Sequence, residues 1–259
     1  MRILLTNDDG INADGLAALR EAIEGIEGAE VYVVAPDRER SATGHAITLH
    51  QPLHVEPVTF AGSRCRAWSV TGTPADCTKI AVEALMDGRP DIVLSGINRG
   101  PNLGTDVVYS GTVSAAIEAI ILGIPAMAIS LGAYENLNYE FAARFTRRLV
   151  ERYFQWGLGE DVLLNVNVPA IEPELISGVA VTRLGTRRYT NIFDRRVDPR
   201  GRVYYWLAGE ALDREAGADT DVGALQRNMV SITPIHLELT SHAAVERMRA
   251  IELDDLLES

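Results

Sequence analysis

Apolar and polar positions follow two periods along the chain, and the period changes at glycines and acids. Ile3-Leu4-Leu5 is a short continuous apolar run that stops at Asn7-Asp8-Asp9-Gly10, predicting a buried strand that ends in a sharp turn. Leu16, Leu19, Ile23 and Ile26 then recur at helical spacing, with Gly25 and Gly28 as stop signals. Val31-Tyr32-Val33-Val34-Ala35 is a second apolar run, closed by Pro36-Asp37. This βαβ opening favours a parallel sheet covered by helices. Residues 47–70 are different: Ile47, Leu49, Val55 and Val58 lie among prolines and polar residues, which predicts short antiparallel strands. Further on, a helix is expected over 77–85, a buried strand over 90–96 and a Gly- and Asn-rich loop over 98–104. A helix over about 113–122, a strand over 124–130, a helix over 139–154 and a strand over 162–168 follow.

The last third changes character. Residues 179–184 and 203–207 read as strands flanking Asp198-Pro199-Arg200-Gly201, a turn signal. A hairpin of that kind, carrying Tyr204, Tyr205 and Trp206, reads either as a protruding arm that pairs with another subunit or as a core hairpin. Residues 241–257 predict an amphipathic helix with Val245, Met248, Ile251 and Leu256 as its buried stripe. There is no internal repeat and no low-complexity tract.

Composition narrows the function classes. The chain has 259 residues, with 24 Lys+Arg against 36 Asp+Glu, for a net charge of −12. Its 47% hydrophobic content fills a sizeable core and excludes intrinsic disorder. The acidic balance argues against binding long nucleic acid, which needs a Lys/Arg-rich face. It leaves room for a small phosphorylated ligand, because a bound metal reverses the local sign. Two cysteines, Cys65 and Cys77, are too few for a disulfide scaffold and point to a reduced setting. No segment approaches the roughly 20 apolar residues of a membrane span, and the start lacks a signal-type apolar run, so a soluble cytoplasmic protein is expected.

The candidate chemistry sits in loops that follow predicted strands, which a parallel sheet gathers along one edge. Adjacent Asp8 and Asp9 repel unless a cation intervenes, and hard cations take carboxylate, hydroxyl and amide oxygens. The plain alternative is a helix cap or a glycine turn. Ser41 reads as a turn hydroxyl or a ligand, and Asn98 as a loop residue or a source of an amide oxygen. Ser110-Gly111-Thr112 opens a helix, so it is either a simple N-cap or a phosphate cradle of free N–H groups and hydroxyls. Walker A, dinucleotide-binding, nucleophile-elbow and zinc-spaced patterns are all missing. The five histidines have no evident partners, and His45 alone lies in a candidate loop.

Together, Thr6-Asn7-Asp8-Asp9-Gly10, Ala35-Pro36-Asp37 through Ser41, Gly72-Thr73-Pro74-Ala75-Asp76-Cys77, Ser95-Gly96-Ile97-Asn98-Arg99-Gly100 and Tyr109-Ser110-Gly111-Thr112-Val113 resemble the SurE family in order and spacing. The resemblance runs over nearly the whole chain and is looser at Asp198-Pro199…Tyr205-Trp206 and at Val230-Ser231-Ile232-Thr233-Pro234. Ala119 departs from it, where glycine is expected. The fold it implies is a three-layer α/β/α, Rossmann-like, mostly parallel sheet with a C-terminal β-hairpin arm and a terminal helix. Residues 1–180 form the catalytic core in this reading, and 181–259 the parts used in oligomerisation. The resemblance further implies one divalent cation, Mg²⁺ or Mn²⁺, on Asp8, Asp9, Ser41 and Asn98. It implies 5′- and 3′-nucleotidase activity, short-chain polyphosphate as a further substrate, and a homodimer or homotetramer. In the resulting mechanism Asp8 or Asp9 takes the proton of the attacking water, while Asn102, Ser110, Gly111 and Thr112 steady the phosphate. The competing expectations are a non-catalytic nucleotide-binding regulatory module and a structural oligomer built on the arm.

Overall fold

A computed structural model of the chain describes residues 1–190, 193–251, 253 and 256, with the backbone alone at 210–215. Its opening is the expected βαβ unit: β1 (Arg2–Thr6), α1 (Asp14–Glu24) and β2 (Glu30–Pro36), with the two strands parallel. A short antiparallel pair follows, β3 (Val55–Val58) and β4 (Arg66–Val70), and β4 also runs parallel to β2. Residues 47–49 form no strand; Ile47 and Leu49 are exposed, since their polar and proline neighbours leave them no face to bury. Helix α2 (Pro74–Ile80) starts earlier than periodicity suggests. Thr73 and Asp76 close a capping box around Pro74, and the last turns widen into a π segment at Ala81–Leu85.

Strands β5 (Ile92–Arg99), β6 (Ala126–Leu131) and β7 (Leu163–Val168) extend the parallel sheet, joined by α3 (Gly111–Ile121) and α4 (Glu140–Tyr153). Side chains of successive strand residues point to opposite faces, so each buried strand feeds two cores. Ile3, Leu5, Val33, Leu94 and Ile129 pack under α1 and α4, against Leu19, Ile23 and Val150. Leu4, Tyr32, Val93 and Ala128 pack on the other face against α2 and α3, through Cys77, Val113 and Ala116. The result is the expected three-layer α/β/α architecture, with each buried Leu or Ile stabilising it by about 1.5–3 kcal/mol.

The C-terminal third pairs differently from the sequence reading. Strand β8 (Gly178–Val181) is not the first strand of the hairpin; it joins the nine-stranded sheet beside β13 (Met229–Ile235), which itself runs antiparallel to β7. The hairpin is instead β10 (Phe193–Val197) with β11 (Val203–Leu207) around the Asp198-Pro199-Arg200-Gly201 turn. It continues at its base as β9 (Thr186–Thr190) paired with β12 (Glu210–Glu215). Both β10 and β11 are exposed along their whole length, so the hairpin protrudes and is not a core hairpin. After α5 (Asp221–Gln226), the terminal helix α6 (His242–Arg249) is shorter than expected and buries nothing. Met248, Ile251 and Leu256 of the expected stripe are exposed because the described residues supply no surface to cover them; Leu257 lies outside the described residues.

Candidate active site

Because β1, β2, β5 and β6 are parallel, their carboxyl ends share one edge, and short backbone bonds tie the loops there together. The Asn7 side chain closes the first turn, accepting from Gly10 N–H at 3.2 Å and donating to Gly10 O at 2.9 Å. Gly10 has φ +102°, and a Cβ there would lie 3.1 Å from Arg38 C, so this turn admits only glycine against the β2 loop. Arg40 N–H donates to Asp8 O at 2.7 Å, Arg99 N–H donates to Asp9 Oδ2 at 3.0 Å, and Thr112 Oγ1 donates to Asp8 Oδ1 at 2.5 Å. Residues from three distant segments thus converge on the aspartate pair.

The electrostatics of that pair are unfavourable. Burial pushes the Asp8 carboxyl up to about 6; the Thr112 hydrogen bond opposes the shift and the neighbouring Asp9 adds to it. Asp9 is also raised, first by burial, with the Arg99 N–H and charge pulling down and Glu39 pushing up. Glu39 itself pairs with Arg99 at 3.5 Å. Asp9 and Glu39 therefore share one guanidinium, with Asp8 beside them.

Asn98 follows a register shift between Ser95 and Asn98 in the β5–β6 ladder, an irregularity of the kind that re-aims a side chain, and it precedes Arg99, whose N–H meets Asp9. Its Nδ2 donates to Gly100 O at 2.8 Å, leaving Oδ1 with no donor among the described residues. Ser41 is exposed and its hydroxyl donates to Glu39 Oε1 at 2.7 Å, so its oxygen retains lone pairs. The donor set is then two carboxylates, an amide oxygen and a hydroxyl, all hard, and it fits Mg²⁺ or Mn²⁺. No group of three or more His, Cys, Asp or Glu able to hold a metal occurs among the described residues, and both cysteines are free.

Ser110 caps α3, accepting from Val113 N–H at 3.1 Å, and Gly111 packs directly on Asp8: a Cβ there would meet Asp8 Cβ at 2.7 Å. Part of this helix terminus is therefore occupied by Asp8 itself, held by the Thr112 hydroxyl and backbone. Asn102 lies deeper, in a buried amide network. Its N–H donates to Asn167 Oδ1 and its Nδ2 to Ser130 Oγ, both at 2.8 Å, while its carbonyl accepts from Asn165 and Asn167. It fastens the loop after β5 to the ends of β6 and β7.

Several neighbours escaped the sequence reading. Glu39 and Arg99 lie inside loops flagged for their oxygen donors, and their charges were the available signal. Tyr139 is close enough to feel the Asp9 charge; burial first, then that charge, raises its hydroxyl to about 12. His45 does have a partner, Glu118 of α3 at 3.0 Å, which also receives Lys79 at 3.5 Å. That contact spans 73 positions and left no local mark.

Residues 3–191 match the model of a protein family described as survival protein SurE. A 5′-nucleotidase SurE of Heliobacterium modesticaldum is 55% identical over 248 residues, covering 96% of this chain and 90% of that protein. One from Carboxydothermus hydrogenoformans is 56% identical over 251 residues, covering 96% and 95%. The crystal structure of the SurE protein from Aquifex aeolicus superposes with a TM-score of 0.82 at 40% identity, covering 96% of this chain and 98% of that one. Loop convergence, fold and near-full-length similarity agree: the chain belongs to the SurE family.

Proposed function

We propose that this protein is a 5′-nucleotidase that needs a divalent cation, hydrolysing nucleoside 5′-monophosphates, and also 3′-monophosphates and short polyphosphate, to release phosphate. The observation that carries this reading is the meeting of Asp8-Asp9 with the N-terminus of α3 through Thr112 and Gly111. A surplus of buried negative charge there sits beside donors suited to an anion, a combination that serves a cation and a phosphate together. Relatives named 5′-nucleotidase SurE at 55% and 56% identity support the same reading.

Asp8, Asp9, Ser41 and Asn98 would hold Mg²⁺ or Mn²⁺, which supplies Lewis-acid polarisation of the phosphate and a lowered pKa for water. Ser110 Oγ accepts from Val113 N–H, so its own proton is available to a phosphate oxygen. The Gly111 N–H has no acceptor among the described residues and points the same way as the helix dipole. Thr112 orients Asp8, and Asn102 fixes the loop that follows Asn98. Asp9 Oδ2 accepts from Arg99, while its Oδ1 has no donor among the described residues; this free oxygen takes the proton of the attacking water. Residues 1–180 form the catalytic core in this proposal. The arm and α6 within 181–259 join copies into a homodimer or homotetramer, since Phe193, Tyr205, Trp206 and Leu207 of the arm are all exposed, while the returning strand β13 is taken up by the central sheet. The setting is the cytoplasm; among the described residues, no helix is long and apolar enough to cross a membrane.

The test is phosphate release from 5′- and 3′-mononucleotides and from tripolyphosphate, after chelation and after adding back Mg²⁺ or Mn²⁺. Hydrolysis restored only with metal is expected. Full activity in chelator would overturn the metal requirement, and nucleotide binding without phosphate release would make the protein a binding module instead.

A further inference from the structure

Two exposed tyrosines border the site without any part in the chemistry above. Tyr134 lies in the loop between β6 and α4, and Gly100, with φ +99°, lies directly against its ring: a Cβ there would fall 2.1 Å from Tyr134 Cε1 and 2.7 Å from Cζ. Gly100 O is also the acceptor for Asn98 Nδ2, so the ring rests on the loop bonded to a proposed metal ligand. Yet the Tyr134 side chain keeps 66% of its surface exposed. One side is seated and the other is open.

Tyr189 of β9 stands close by, near enough for Tyr134 to contribute to the raised pKa of the Tyr189 hydroxyl. Its hydroxyl donates to Asp106 Oδ2 at 2.6 Å, and Arg187 Nη1 pairs with the same oxygen at 3.1 Å. Thr105 Oγ1 donates to Arg187 O at 2.8 Å, which fastens the base of the arm to the 3₁₀ turn Gly104–Val108. That turn leads straight into Ser110. A pair of fixed phenols thus borders the loop that runs from Asn98 to the start of α3.

Resting on the phosphomonoesterase reading, we infer that Tyr134, with Tyr189 beside it, is the platform on which the base of a nucleoside monophosphate stacks. An aromatic ring held in place by backbone offers a stacking face at little entropic cost, and every base has a π-face to meet it. The rim therefore selects for the presence of a base and tolerates its identity. Phosphomonoesters of similar charge but without a base gain nothing from it.

The experiment compares Tyr134→Ala and Tyr134→Phe with the full-length wild type, in saturating Mg²⁺, on AMP and on ribose 5-phosphate. Stacking is worth roughly 5- to 100-fold in affinity, so Tyr134→Ala should raise KM for AMP and lower the AMP to ribose 5-phosphate ratio of kcat/KM by about tenfold. Tyr134→Phe, which keeps the ring, should hold the wild-type ratio. An unchanged ratio in Tyr134→Ala, or equal losses on both substrates, would overturn the inference and leave Tyr134 as a cover for Gly100. If the wild type hydrolyses neither substrate, the phosphomonoesterase reading fails by itself. Adenosine binding measured by calorimetry then decides the base site: weaker binding in Tyr134→Ala supports it, and equal binding ends it.

Discussion

Asp8 and Asp76 are each 4% exposed, and each lies against the N-terminus of a helix. Their carboxyls nevertheless move in opposite directions. Burial pushes Asp76 up, but Thr48 N–H at 3.0 Å, Thr48 Oγ1 at 2.6 Å and Thr73 N–H at 2.9 Å outweigh it, and its pKa is lowered. Asp8 has the Thr112 hydroxyl and backbone to set against burial and the adjacent Asp9, and it rises to about 6. Solvent exposure alone does not distinguish a structural carboxylate from a functional one. Depth within the protein and donor count together do: Asp76 is satisfied by its donors, whereas Asp8 lies deeper with fewer donors, a deficit that the proposed cation would fill.

Removing the charge should therefore have opposite consequences at the two positions. Asp8→Asn is expected to lower phosphate release by roughly a thousandfold, since losing a proposed metal ligand would forfeit several kcal/mol of charge stabilisation. In chelator at pH 7 the same variant should melt higher than wild type. The Asp8 pKa is raised in the fold, so its stabilising contribution is full below 3.8 and is lost as the pH rises through about 6. That rise corresponds to about 3 kcal/mol, the upper bound on what the neutral amide recovers. A thermal melt in chelator that falls on Asp8→Asn would erase the contrast with Asp76.

Gly111 tests the same contact from the helix side. Alanine there would bring Cβ within 2.7 Å of Asp8 Cβ and 2.8 Å of Oδ2, too close for either to stay in place. A displacement of this kind at reacting groups costs on the order of a hundredfold, so Gly111→Ala should lose about that factor in kcat/KM with little loss of stability. Unchanged kinetics would mean that the approach of α3 to Asp8 has no bearing on catalysis.

Much of this edge could be read from the sequence, for an identifiable reason. Apolar runs such as Ile3-Leu4-Leu5 mark buried parallel strands, and the polar residues just beyond them must then share an edge. That reasoning places Asp8, Asp9, Asn98 and Ser110 along one edge. The Thr112–Asp8 bond, which spans 104 positions, and the His45–Glu118 pair carry no local pattern and needed the fold. The arm misled for a different reason. Its turn was correctly marked by Asp198-Pro199, but residues 179–184 look like any strand, and only β13 returning to the sheet decides that β8 pairs there. Met248 and Ile251 have helical spacing without a surface to meet, because periodicity states which face is apolar and says nothing of what covers it.

Asp76 gives the smallest effect and the opposite sign. Both of its oxygens accept from donors, so asparagine in either orientation sets an NH₂ against Thr48 or Thr73, at a cost of about 2 kcal/mol. Denaturant unfolding of Asp76→Asn at pH 7 should show that loss, with kcat changed far less than in Asp8→Asn. Because the folded pKa of Asp76 lies below 3.8, its contribution is full above that value and disappears as the pH falls through the lower, folded one. The wild-type and Asp76→Asn unfolding curves should accordingly draw together on acidification. Curves that stay equally far apart down to low pH would assign the loss to misfitted packing rather than to the carboxylate's hydrogen bonds, and Asp76 would no longer stand as the satisfied counterpart of Asp8.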